Sequence, residues 1–101
     1  MEGCRFRTLN DYRNVVNFDN GFQLSIVCNY ISYGGHRGLF EAALLKDGDC
    51  VYHEQEFPDV KGNLSFQDVA DLINKVRQYP ADFPYTKNVF LSSYENTNKE
   101  V

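Results

Sequence analysis

Tryptophan is missing from this 101-residue chain, methionine occurs once, and proline only three times. No apolar run approaches the roughly 18 residues that a membrane-crossing helix needs. Met1 to Asn10 carries no apolar signal segment, so the expected compartment is the cytoplasm. The three cysteines, Cys4, Cys28 and Cys50, form neither a CxxC nor a Cys/His pair at finger spacing, which excludes the common zinc patterns and leaves free thiols as the expectation. Bases are outnumbered, ten Lys and Arg against fourteen Asp and Glu, for a net charge of −4. That balance argues against direct nucleic-acid binding, which needs a basic patch or stripe. The Walker, dinucleotide GxGxxG and nucleophile-elbow GxSxG patterns are all missing, so no cofactor is implied and the chain is expected to be non-enzymatic.

What the chain has in quantity is rings, seven Tyr and eight Phe, enough to fill the core of one small domain spanning residues 1–101. Its centre is Asn20 to Glu41, two strand-like runs joined by a glycine-rich elbow at Ser32 to Gly38. Residues 1–12 read as a lead-in, helical or extended, before a strand near Asn14 to Phe18. Asn20-Gly21 then predicts a type I′ hairpin turn. From Phe22, apolar residues alternate through Leu24, Ile26, Cys28 and Tyr30, the period of a half-buried antiparallel strand. Cys28 thereby faces the core, where inert packing is its expected role. Leu39 to Lys46 predicts a third strand, and Asp47-Gly48 a turn into a fourth from Cys50 to Glu54. The register of this last hairpin stays open between a two-residue loop and a bulged three-residue one. Glu56 to Asn63 reads as loop. Ser65 with Asp68 forms a capping box ahead of a stripe of Phe66, Val69, Leu72, Ile73, Val76 and Tyr79, and Pro80 ends that helix. Asn88 to Ser92 is a candidate last short strand, and residues 93–101 are polar enough to fray. The fold class predicted is α+β: an antiparallel meander of about four strands with one C-terminal helix across a face.

Two surfaces are candidates for function. The elbow offers Tyr33, His36 and Arg37 among three glycines. It reads as a sharp loop, as a partner contact, or as a small-anion or nucleotide site with Arg37 as clamp and His36 as acid or base. The second surface is acidic: Asp47, Asp49, Glu54, Glu56 and Asp59 lie close together with no Lys or Arg between them. Such a run guards a hairpin edge against aggregation, or steers the protein onto a basic partner. Asp49, Glu54, Glu56 and Asp59 are the partner-binding candidates here. His36 and His53, the only histidines, converge with no ligand set at recognised spacing, so no metal is expected.

Asn20-Gly21-Phe22 with Ser25 and Val27, Ser32-Tyr33-Gly34-Gly35, Gly38-Leu39-Phe40-Glu41-Ala42-Ala43-Leu44-Leu45, Asp47-Gly48, and Asp59-Val60-Lys61-Gly62-Asn63-Leu64 together resemble a group of small uncharacterised bacteriophage proteins. The similarity covers Asn20 to Tyr79. It implies a phage-encoded protein acting in the host bacterial cytoplasm, where small acidic proteins of this kind bind and block a host machine such as a CRISPR nuclease, a restriction enzyme or a polymerase. The group has no established functional residues to carry over. A small-anion module at residues 32–38 and a self-associating structural or virion accessory protein, including a homodimer, are the other readings.

Overall fold

A computed structural model describes residues 12–28 and 37–90. The expectations placed on residues 1–11, on Tyr33 and His36, and on residues 91–101 lie outside these described residues. The described residues form, in order, five strands and one helix: β1 (Tyr12–Asn17), β2 (Phe22–Cys28), β3 (Phe40–Lys46), β4 (Asp49–Cys50), β5 (Lys61–Leu64) and α1 (Phe66–Arg77). The sheet is antiparallel in the order β1-β2-β3-β4, with β5 also on β3, so the fold is an α+β meander with a C-terminal helix. None of the described helices is long and apolar enough to cross a membrane.

Alternation explains the sheet's two faces. Phe22, Leu24, Ile26 and Cys28 of β2 and Phe40, Ala42 and Leu44 of β3 are buried, and the register sets Leu24 opposite Leu44 and Ile26 opposite Ala42. Onto this face α1 lays Val69, Leu72 and Val76, with Tyr79 buried just beyond its end. The opposite face, Val27, Ala43 and Leu45 among Gln23, Ser25 and Glu41, is half-buried. The helix starts as its capping box dictates: Ser65 Oγ accepts from the Asp68 N–H at 3.1 Å, and Asp68 Oδ2 accepts from the Ser65 N–H at 3.0 Å. Phe66 departs from the predicted stripe. It is 58% exposed, with its ring lying 5.3 Å from that of Phe40.

The turns settle what the sequence left open. Asp47 and Gly48 have φ of 54° and 84°, and Lys46 pairs with Asp49, which is a two-residue type I′ loop. Cys50 therefore points outward and Val51 into the core. At the first hairpin only Gly21 has positive φ, at 94°. Phe18 donates to the Phe22 carbonyl at 3.0 Å and accepts from the Gly21 N–H at 3.1 Å, so this is a three-residue loop with a glycine bulge instead of the expected I′ turn. That arrangement frees the Asn20 side chain. Its Oδ1 accepts from the Phe22 N–H at 3.0 Å, while Nδ2 donates to the carbonyls of Val76 and Tyr79, both at 2.9 Å. A turn residue thus caps the far end of the helix.

Four local expectations are revised. Lys61 to Asn63, read as loop, belong to the strand β5, because Phe40 and Ala42 of β3 supply partners that local sequence cannot reveal. β4 stops at Cys50 because Tyr52 bonds instead with Thr86, donating at 2.7 Å and accepting at 2.9 Å. Asn88 to Phe90 is not a strand. Cys28 is disulfide-bonded rather than a free thiol, its partner lying outside the described residues, while Cys50 is free and exposed.

Candidate functional site

Arg37 is the one elbow candidate among the described residues. It is exposed, and its Nη2 donates to Asn63 Oδ1 at 2.6 Å, so part of the guanidinium is held at the end of β5. Asn63 sits at φ 57°, a left-handed position that asparagine tolerates. Arg37 precedes β3, whereas Asp49 follows it. Along the six steps from Phe40 to Lys46 this separates the two by roughly 20 Å. Arg37 and Asp49 therefore lie at opposite ends of β3 and do not form one site.

Within the acidic segment, two of the five charges are engaged by bases from distant parts of the chain. Asp49 Oδ2 meets Lys87 Nζ at 3.2 Å. Glu56 Oε1 meets Lys75 Nζ at 3.1 Å and accepts from the Tyr79 hydroxyl at 3.2 Å. Asp59 Oδ1 accepts from the Val60 N–H at 2.7 Å. Glu54 differs: it is exposed and makes no ion pair among the described residues.

Glu54 is placed by a tight turn. His53 and Phe57 exchange two backbone hydrogen bonds of 2.9 Å, and His53 Nδ1 accepts from the N–H groups of Glu56 at 3.0 Å and Gln55 at 3.3 Å. With Nδ1 an acceptor, the neutral ring carries its proton on Nε2. The turn, pinned to the chain at Thr86, forms one wall of a surface depression of about 270 Å³, lined by Tyr52, His53, Glu54, Pro84, Tyr85 and Phe90. Tyr85 is 42% exposed, and its ring meets that of buried Phe22 edge-on at 5.9 Å. Lys46 Nζ stands 5.1 Å from the Phe22 centroid and 5.5 Å from that of Tyr85. Beneath them Tyr79 and Phe83 stack at 3.9 Å, with His53 4.6 Å from Phe83. Sequence reasoning reached Glu54 but missed the aromatic walls. The residues after Pro80 show no periodicity, and long-range pairings, Tyr52 with Thr86 and Phe90 with Pro58, bring them beside the turn.

A second hollow of about 220 Å³ lies between β5 and α1, lined by Lys61, Leu64, Asp68, Asp71, Leu72 and Lys75. Burial, helped by the like charge of Lys75 and opposed by Glu56, holds the Lys61 amine below its ordinary pKa. Among the described residues, no group of three or more His, Cys, Asp or Glu side chains is arranged to hold a metal ion.

Burial raises the Tyr79 phenol well above its usual range, reinforced by the Glu56 charge and by the hydrogen bond to it. Burial alone would also raise Glu56, but the hydrogen bond and charge of Lys75, with the Tyr79 hydroxyl, bring its carboxyl below the ordinary value. Because the folded Tyr79 pKa exceeds the unfolded one, its contribution to stability is complete below about pH 10 and is lost as pH climbs through the folded value. Tyr79→Phe should therefore flatten the alkaline limb of the stability curve, read by urea unfolding at stepped pH. It should also remove one late-titrating phenol from the tyrosinate absorbance titration. An unchanged alkaline limb would dissociate Tyr79 from this pH dependence.

Compared with known proteins, the chain matches no family model, no curated protein and no solved structure.

Proposed function

We propose that this chain is a phage-encoded, non-enzymatic binding protein that acts in the host bacterial cytoplasm by occluding a host macromolecular machine, most concretely as an anti-CRISPR or other anti-defence inhibitor. The phage origin rests on the resemblance of Asn20 to Tyr79. The binding surface rests on one observation: Glu54 borders an aromatic depression without an ion pair among the described residues, whereas Asp49 and Glu56 are matched by lysines of the same chain. A carboxylate beside Tyr52 and Tyr85 suits a partner's Lys or Arg, which gains a charge partner and a ring face together. Tyrosines walling a depression are also the residue type that concentrates binding energy at interfaces. Asp47, exposed at the turn between β3 and β4, adds long-range attraction toward a basic partner and speeds encounter.

The test is capture of host proteins by the tagged chain, with Glu54→Lys/Tyr85→Ala as control. The wild type should retain a host nuclease or polymerase component in stoichiometric amount, and the double variant should bind it about 10- to 100-fold more weakly. Retention should also weaken as salt rises. Glu54 is exposed, so reversing its charge should change stability by no more than about 0.5 kcal/mol. Glu56→Lys is unsuitable as a probe, since it breaks contacts to both Lys75 and Tyr79. A partner held equally by the double variant would remove the depression from the interface.

A further inference from the structure

We infer that β1 is a self-pairing edge, through which two copies of this chain join their sheets antiparallel about a two-fold axis at Val15. β1 ends the strand order, and every one of its residues except Val16 is exposed. Its register with β2 is unbroken from Tyr12↔Cys28 to Asn17↔Gln23. At the hairpin, both the N–H and the C=O of Phe18 are directed at β2's side of the turn. Strand alternation then turns the backbone groups of Val16, Asn14 and Tyr12 toward β2, and those of Asn17, Val15 and Arg13 outward. None of these outward groups bonds to another segment among the described residues.

Outward groups at three alternate residues fix the self-pairing register. With Val15 opposite Val15 of a second copy, Arg13 faces Asn17 and Asn17 faces Arg13. All six donors and acceptors are then satisfied across the axis. Shifting by two residues in either direction leaves one residue of each strand unpaired. Side chains agree with the centred register. Val15, 45% exposed, meets its own copy, and Tyr12, 43% exposed, meets half-buried Phe18. Arg13, the only charge in the strand, opposes a neutral asparagine, so no like charges are juxtaposed.

The opposite side of the sheet is defended where β1 is not. β5 is short, carries Lys61 and Gly62, and its register on β3 is irregular between Phe40 and Ala42, features that discourage pairing. β1 has no proline, glycine or bulge. Among the described residues, α1 makes its main sheet contacts with β2, β3 and β5 rather than with β1. The contact is one strand wide, below the area typical of a permanent dimer, so association should be concentration-dependent.

Sedimentation equilibrium of the full chain, from low micromolar to near millimolar, reads the mass directly. The wild type should pass from monomer to dimer. Val15→Lys, which sets two ammonium groups opposite each other on the axis, should weaken association about tenfold or more. Val15→Cys in a Cys50→Ser background should cross-link between copies on mild oxidation, because paired Cα atoms stand about 5.5 Å apart. Arg13→Cys in the same background should not, since Arg13 and its copy lie four residues out of step, roughly 14 Å. A wild type that stays monomeric throughout, a dimer indifferent to Val15→Lys, or cross-linking as efficient at residue 13 as at 15 would overturn the inference.

Discussion

Replacing Phe22 with alanine should cost the fold about 3–5 kcal/mol and lower its thermal midpoint by roughly 15 °C or more. Phe22 is wholly buried at the start of β2, and three rings meet it edge-on: Tyr79 at 6.0 Å, Phe83 at 5.8 Å and Tyr85 at 5.9 Å. Truncation therefore opens a cavity and also removes the common contact of three residues that follow the helix. For a domain of this size, whose total stability is on the order of 5–15 kcal/mol, that is a large fraction. Because Tyr85 also walls the depression beside Glu54, partner binding should weaken in parallel even at temperatures where the variant is folded. Calorimetry checks the first effect, and binding measured well below the midpoint checks the second. Phe22→Leu, which keeps most of the volume, should lose less than half as much stability. Equal losses for leucine and alanine would show that ring contacts, not cavity volume, set the cost.

Asn20→Ala should cost about 2–3 kcal/mol, far more than a half-exposed turn residue ordinarily costs. The change strands one N–H, that of Phe22, and two carbonyls, those of Val76 and Tyr79, at partly buried positions. Asn20→Asp separates capping from size. The isosteric carboxylate keeps the acceptor for Phe22 but brings negative charge against the carbonyl end of the helix, so near neutral pH it should be at least as destabilising as alanine. The folded pKa of that carboxyl should be raised, so its penalty should shrink as pH falls and it takes up a proton. Urea unfolding at two pH values would show this. Parallel curves for the aspartate and alanine variants would mean that the Asn20 contacts to the helix end are energetically idle.

The features legible in the sequence are those whose cause is local. The Ser65 and Asp68 capping box, the period-two burial of β2, the end of the helix ahead of Pro80 and the turn at Asp47-Gly48 each follow from a few neighbouring residues. What failed was non-local. β5 exists because β3 offers it a partner, the second half of the predicted fourth strand went to Thr86 instead, and Asn20 is used by a helix more than fifty residues away. The candidate site divides the same way. Its acidic residues were visible as composition, but Lys75 and Lys87, which engage two of them, come from the helix and the chain beyond it. Only the folded arrangement singles out Glu54. The disulfide at Cys28 likewise left no trace in spacing.

The strand order has a kinetic consequence. Strands β1 to β4 each pair with their neighbour in sequence, so the sheet can grow by successive hairpin closures, of which β1–β2 and β3–β4 span short turns and entail little loss of chain entropy. β5 alone must come back across the sheet, to lie against β3. Ser65 follows β5 directly and caps α1, so the strand and the helix arrive as one piece. Through Asn20, whose side chain holds the Val76 and Tyr79 carbonyls, the turn of the first hairpin is tied directly to the end of that piece.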